Sequence, residues 1–375
     1  MSNSLKKELK EFLLGDLGLD EVGIASANDY SVEDCERIRI MRELFAQSTP
    51  IAGGDANIYQ PGDFLSDAKS IVVLGANSYF GKGSDREKAR KRLLGYVEES
   101  HVDSAFLGKS AKRSSEIEDF LKKRGYQCFS LSAGGFPIKL KASECGVGRY
   151  GKNAIIQNDR LGAWISLSAF ITDAKMEPDE PSKDGCGKCT LCLDACPTGA
   201  LEKPYFCNSK KCIDFNLGHN KNYIPEDIRE ACGNLLGEGC RICRDVCPHN
   251  RNLKPVKHED MAENIISPEL TSVLSISDEE WENKYAPTLF GFFLVEKRYL
   301  RRNAAIALGN FSDERATASL LEALGDDEDV VREYSAWALG KINTANSKAG
   351  LEKAFKKEKN ETVQKEIKKS LDVMS

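Results

Sequence analysis

No stretch of this 375-residue chain is apolar over the length a bilayer-spanning helix needs, so no membrane span is expected. The first twenty residues lack the apolar core and small-residue cleavage site of a secretory signal, and no twin-arginine pair occurs there. They read instead as an amphipathic helix with Leu5, Leu9, Phe12, Leu13 and Leu17 on one side. A strong charge of either sign is also missing. Lys and Arg number 53 against 58 Asp and Glu, a formal net charge of −5, which excludes an electrostatic nucleic-acid binder of the obvious kind and leaves only local patches. What is plentiful is cysteine. Thirteen thiols with no export signal imply a reducing compartment, the cytoplasm, in which they serve metals rather than disulfides. At 41% hydrophobic and 30% charged, the chain is globular and long enough for two or three domains.

Seven of the thiols fall in two runs. The first, Cys186-Gly-Lys-Cys189-Thr-Leu-Cys192-Leu-Asp-Ala-Cys196-Pro197, is a complete C-x2-C-x2-C-x3-C-P. In that pattern three cysteines bind one [4Fe-4S] cluster and the fourth crosses to another, so two clusters are expected. The second run, Cys240-Arg-Ile-Cys243-Arg-Asp-Val-Cys247-Pro248, supplies three more thiols. Ligand exchange assigns Cys186, Cys189, Cys192 and Cys247 to the first cluster. Cys196, Cys240, Cys243 and one further thiol make the second. Cys207, Cys212 and Cys232 compete for that last position. Cys212 is favoured because it opens Cys-Ile-Asp-Phe, an apparent helix start, whereas Cys207 beside Phe206 could equally pack as a small apolar side chain. Structural zinc is the competing reading of the C-x2-C pairs, but it closes on four ligands and does not call for the longer pattern.

Up to about residue 175 the chain alternates helix and strand. Ser70–Gly75 has the short apolar run of a buried strand, Glu116–Lys123 is helical, and Tyr126–Leu131 and Gly162–Asp173 are strand-like. A Pro-, Asp- and Glu-rich joint, Met176–Asp184, leads into the cysteine region, which ends near Lys257. The remainder is helical and repetitive: Asn303-Ala-Ala-Ile-Ala-Leu-Gly309 recurs 31 residues on as Tyr334-Ser-Ala-Trp-Ala-Leu-Gly340, with a degenerate third copy at Val363–Leu371. That period indicates stacked helix pairs of HEAT type, with Ala304, Ala307, Ala336 and Ala338 allowing close approach. Between the copies, Gly325–Asp329 reads as a solvated acidic turn.

Cys145-Gly146-Val-Gly148-Arg-Tyr-Gly151-Lys152-Asn153 contains G-x-G-x-x-G, but not as a dinucleotide fingerprint. A strand should precede it and a helix open at it, whereas Lys139–Glu144 is helix-like and Asn153–Gln157 strand-like. The glycines permit positive φ and close backbone approach, to a large ligand or within a structural turn. This cluster, the apolar strand ending in Thr172-Asp173, the double cysteine run with Pro197-Thr-Gly-Ala200, and Leu300-Arg-Arg-Asn-Ala-Ala-Ile-Ala-Leu-Gly-Asn310 together resemble the epoxyqueuosine reductase family, from about residue 65 onward.

The resemblance implies an α/β N-terminal cobalamin-binding domain over 1–175, a ferredoxin-like domain with two [4Fe-4S] clusters over 176–257, and all-α HEAT-like repeats over 258–375. It implies an oxidoreductase that reduces epoxyqueuosine to queuosine in tRNA, with cobalamin held near Gly146, Gly148, Gly151, Lys152 and Asn153. The implied partners are tRNA and a low-potential donor such as ferredoxin or flavodoxin, with the chain a monomer off the membrane. Lys297, Arg298, Arg301 and Arg302 are placed to contact tRNA phosphates, a solvated helix start being the competing reading. One departure stands out: where the family has an Asp-x-Ala-Pro-like segment with a proton-donating aspartate, this chain has Ser132-Ala-Gly-Gly-Phe-Pro137 and no carboxylate. Tyr150 and Glu144 are the candidate catalytic donors, with Lys152 nearby. The departure keeps open a related cobalamin-dependent reductive dehalogenation or elimination, or an iron–sulfur electron carrier without catalysis.

Overall fold

The computed structural model describes residues 2–36, 38–39, 59–81, 83, 85–98, 101, 104–131, 136–256 and 266–374. Ser132–Gly135, in the segment that lacks the family carboxylate, and the junction at 257 and 258 lie outside them. Two compact units form, each assembled from separated segments: Met1–Gly81 with Ala105–Ser209 and Arg241–Lys257, and Lys82–Ser104 with Lys210–Cys240 and His258–Ser375. Among the described residues no helix is long and apolar enough to cross a membrane.

Among its described residues the first unit has six strands: β1 Glu21–Ser26, β2 Ser70–Asn77, β3 Cys128–Leu131, β4 Arg149–Tyr150, β5 Ile156–Gln157 and β6 Ile165–Thr172. Four make a sheet in the order β1-β2-β6-β3, and β4 pairs with β5 as a separate ribbon. Every sheet pairing is antiparallel, with Ile24 opposite Val72 and Val73 opposite Ala169. The unbroken apolar run in β2 follows from burial on both faces. Ile71 and Val73 pack with Ile138, Ala142 and Val147 on one side; Val72 and Leu74 pack with Leu5, Leu9, Leu13, Ile117 and Leu121 on the other. The apolar stripe of the N-terminal helix Ser2–Glu11 is thereby consumed by the sheet, as its periodicity predicts.

The second unit is helical where it is described by regular elements. The repeated motifs occupy Lys297–Phe311 and Asp329–Ile342, and the degenerate copy lies in Glu361–Val373. The motif glycines explain the period: a Cβ on Gly309 would stand 2.5 Å from the Trp337 ring, and one on Gly340 would stand 2.8 Å from Ser370. Each repeat therefore leaves out one side chain so that the next helix can approach.

The basic helix start departs from expectation. Arg302 is fully buried and donates to the carbonyls of Asn220 (2.6 Å) and Asn216 (3.3 Å) and to Asn303 Oδ1 (3.0 Å). Arg301 pairs with Asp326 and donates to Leu274 O at 2.7 Å. Arg298 pairs with Glu296 and Glu328, and Lys297 with Asp278. The cluster is not one continuous face: Arg302 is a core residue, and the acidic turn at Gly325–Asp329 supplies partners for Arg301 and Arg298, while Lys297 and Arg298 stay partly exposed. Replacing Arg302 by alanine leaves a cavity and buried carbonyls without donors, so it is expected to cost about 3 kcal/mol or more in urea unfolding followed by circular dichroism. Parental stability would refute this account.

A second buried cation, Arg229, faces Glu366 at 3.3 Å and Glu333 at 3.6 Å. Burial pushes the Glu333 carboxyl from its ordinary 4.5 up to about 7. Its folded value is the higher one, so this group's contribution to stability is complete below pH 4.5 and is lost as pH rises towards 7. Glu333→Gln should flatten that part of the stability–pH curve, and an unaltered slope would count against the assignment.

Candidate iron–sulfur site

Both cysteine runs fold alike. A single helical turn, Leu191–Asp194 or Ile242–Asp245, is followed by Cys196-Pro197 or Cys247-Pro248, and the two turns pack together. The proline removes an N–H and ends the helix, which turns the last cysteine of each run away from the thiols before it. Cys186, Cys189, Cys192 and Cys247 consequently line one cavity with Leu191 and His249. Three thiols from one run and one from the other is the set that ligand exchange predicts for a cubane. Among the described residues no three His, Cys, Asp or Glu side chains converge closely enough to hold a single metal ion. Thiolates at separate corners of a cubane stand further apart than zinc ligands do, so the donor set fits a cluster.

The β4–β5 ribbon clasps both runs. Lys152 Nζ donates to Gly187 O at 2.6 Å and Cys189 O at 2.9 Å, inside the first run. Asn153 Nδ2 reaches Cys243 O in the second at 3.4 Å, while its Oδ1 accepts from Gln157 Nε2 at 3.3 Å. Gln157 Oε1 lies 3.8 Å from Cys247 Sγ. Arg149, almost fully buried, binds Asp159 at 2.5 Å and donates to His249 Nδ1 at 3.4 Å; His249 Nε2–H then donates to Gly185 O at 3.2 Å. Gln157, Arg149 and His249 were not singled out by sequence reasoning. His249 follows Cys247-Pro248 directly and Arg149 lies inside the glycine cluster, so proximity to a motif was their only signal.

The glycine cluster is occupied by this clasp. A Cβ on Gly148 would meet Ile156 at 2.5 Å, and one on Gly151 would meet Asn153 at 2.7 Å; Gly146 has φ +75 and faces Glu180 O. Gly151, Lys152 and Asn153 line the cysteine cavity. The Cβ space at Gly148 and Gly151 is thus filled by the ribbon itself, and the side chains of Lys152 and Asn153 donate to the cysteine runs. Tyr150 and Glu144 do not line the cavity. Glu144 is paired at 2.8 Å with Lys141, whose side chain is buried.

In the second unit, Cys212 N-caps the helix Ile213–Gly218, as the sequence led us to expect. Asp214 Oδ1 accepts from the amides of Gly239 (2.6 Å) and Cys240 (2.8 Å), which ties the turn after Cys212 to Cys240. Cys232 is in the apolar core, its thiol donating to Ile228 O at 3.0 Å and pushed by burial up to about 12. It is a packed side chain rather than a ligand candidate.

Comparison with known proteins accords with this geometry. A 4Fe-4S double cluster binding domain matches residues 185–250, and HEAT repeats match 295–372. The epoxyqueuosine reductase of Bacillus subtilis is 32% identical over 99% of this chain and 96% of its own length. The chain belongs to the epoxyqueuosine reductase family. The Bacillus anthracis member is also 32% identical, over 96% of this chain and 95% of its own. A solved epoxyqueuosine reductase carrying a tRNA-Tyr epoxyqueuosine-modified stem loop superposes with TM-score 0.89 at 31% identity, covering 99% of both chains. The Bacillus subtilis structure with an aspartate-bearing catalytic loop swung out of the active site gives 0.88 at 31% identity, again over 99% of both.

Lys152→Ala should release the first cysteine run while leaving all thiols in place. Cluster loss to a chelator, followed by the visible absorbance of the reconstituted protein, is expected to be several-fold faster than in the parent, and equal rates would show the clasp to be incidental.

Proposed function

We propose that this chain is an oxidoreductase that converts epoxyqueuosine to queuosine in tRNA. The supporting observation is the meeting of thiols from both runs around one cavity in a chain that matches epoxyqueuosine reductases over nearly its whole length. The reaction breaks two C–O bonds and forms one C=C bond: the epoxide takes two electrons and two protons and leaves an alkene and water. Cys186, Cys189, Cys192 and Cys247 hold one [4Fe-4S] cluster; Cys196, Cys240, Cys243 and Cys212 hold the other. Cubane potentials extend far enough negative for this chemistry, and electrons come from a ferredoxin- or flavodoxin-type donor. When bound, cobalamin supplies the low-valent metal that breaks the epoxide C–O bond. The chain's part is to fix the clusters, exclude water and deliver a proton. The chain acts as a cytoplasmic monomer on tRNA.

With no carboxylate in Ser132–Pro137, the donor falls to Tyr150 or Glu144. A tyrosine donor keeps a related reductive elimination on another electrophile as the second reading.

Anaerobic reconstitution should give about eight iron per chain, falling to about half in Cys212→Ala and unchanged in Cys232→Ala. Incubation of the cobalamin-loaded protein with epoxyqueuosine-containing tRNA and dithionite should yield queuosine by nucleoside mass spectrometry. Tyr150→Phe should slow this without releasing cobalamin. No conversion, alongside turnover of an organohalide, would move the assignment to the second reading.

A further inference from the structure

The helical turn Ile242–Asp245 contains Cys243 and ends two residues before Cys247, thiols assigned above to different clusters, and together with its N-cap Arg241 it brings two cations onto one aromatic ring. Trp164 is buried just before β6, at 1% exposure. The guanidinium carbons of Arg241 and Arg244 lie 4.4 and 4.5 Å from its ring centre, well inside cation–π range. The two arginines differ in everything else. Arg241 donates to Gly81 O at 2.6 Å and approaches Asp245 at 3.4 Å, so it has a carboxylate to offset it. Among the described residues no carboxylate pairs with Arg244, and its Nε is buried without a hydrogen-bond partner. The backbone beneath it is held as well: Asn250 Nδ2 donates to Arg244 O at 2.7 Å, and Asn250 Oδ1 accepts from Ala163 N at 2.8 Å, in the turn that carries Trp164.

Reducing a cluster by one electron adds one negative charge to it and its thiolates. A fixed positive charge nearby stabilises the reduced form relative to the oxidised one, and more so where burial limits screening by water. The cation must also be held, because a flexible guanidinium would turn to solvent. The Trp164 ring does this without supplying a compensating carboxylate.

We propose that Trp164 is a positioning residue that fixes the uncompensated charge of Arg244, the residue next to Cys243, and so raises the reduction potential of the cluster that Cys243 ligates. This rests on the ligand assignment above.

The test is an EPR-monitored dithionite titration of the reconstituted full-length protein, with iron counted in the same samples. Arg244→Gln should keep its iron and shift the one-electron equilibrium about tenfold towards the oxidised form, ~59 mV more negative. Arg244→Lys, which keeps the charge, should titrate near the parent. Trp164→Phe, with a weaker ring for the cation, should shift the same way as Arg244→Gln but less. An unchanged potential in an iron-replete Arg244→Gln protein overturns the proposal. Equal loss of iron from Arg244→Gln and Arg244→Lys also overturns it, since the residue would then be structural. A parent chain that binds no iron refutes the ligand assignment itself, a result distinct from either.

Discussion

The arrangement around the cysteines depends on one constraint: thiols from runs about fifty residues apart in sequence must be held at the corners of one cubane, although the loops carrying them contain almost no regular structure. Backbone carbonyls in such loops need donors, and here they come from a short ribbon outside the runs. Lys152 serves the first run and Asn153 the second, two consecutive residues that couple the runs through adjacent backbone positions. The ribbon is stiff because Gly148 and Gly151 let it close upon Ile156 and Gln157 with no intervening side chain. A cluster site is thus fixed by hydrogen bonds made before any iron is considered, which limits the reorganisation that loading and reduction require.

Much of this was legible in the sequence, for reasons that differ from element to element. The gathering of Cys186, Cys189, Cys192 and Cys247 around one cavity could be read because cubane ligation imposes short, rigid spacings and a terminating proline. β2 could be read because an unbroken apolar run of that length fits a strand covered on both faces, and the repeats because a period is independent of what the helices touch. The glycine cluster was only half legible. Close glycine spacing reports that something approaches the backbone, and it is silent on whether that is a corrin or the chain's own ribbon. Here Gln157 and Ile156 fill the space. Antiparallel pairing was not legible either, since alternation of helix and strand does not specify strand direction.

The arginines show most plainly what sequence leaves undetermined. Lys297, Arg298, Arg301 and Arg302 look like one basic patch, yet consecutive positions on a helix point about 100° apart. Arg302 therefore turns into the core to meet four acceptors that lie more than eighty residues away in the chain or next to it, while Arg301 meets an acidic turn 25 residues on. A charge run is a property of the sequence, whereas solvation is a property of the partners that folding brings up. An electrostatic argument for tRNA binding that counts the basic residues of this segment counts charges already neutralised or buried.

The same reasoning gives the cations beside the clusters a different weight from those in the repeats. Arg241 and Arg244 lie at near-identical distances from the centre of the Trp164 ring, so that distance alone cannot distinguish them. Asp245 distinguishes them, because a carboxylate within 3.4 Å cancels most of the field that Arg241 presents at longer range. What a cluster experiences is the residual charge after local pairing, so one unpaired arginine held by an aromatic face can outweigh several paired ones. An apolar ring suits such a cation because it restrains the guanidinium at close range and contributes no net charge of its own.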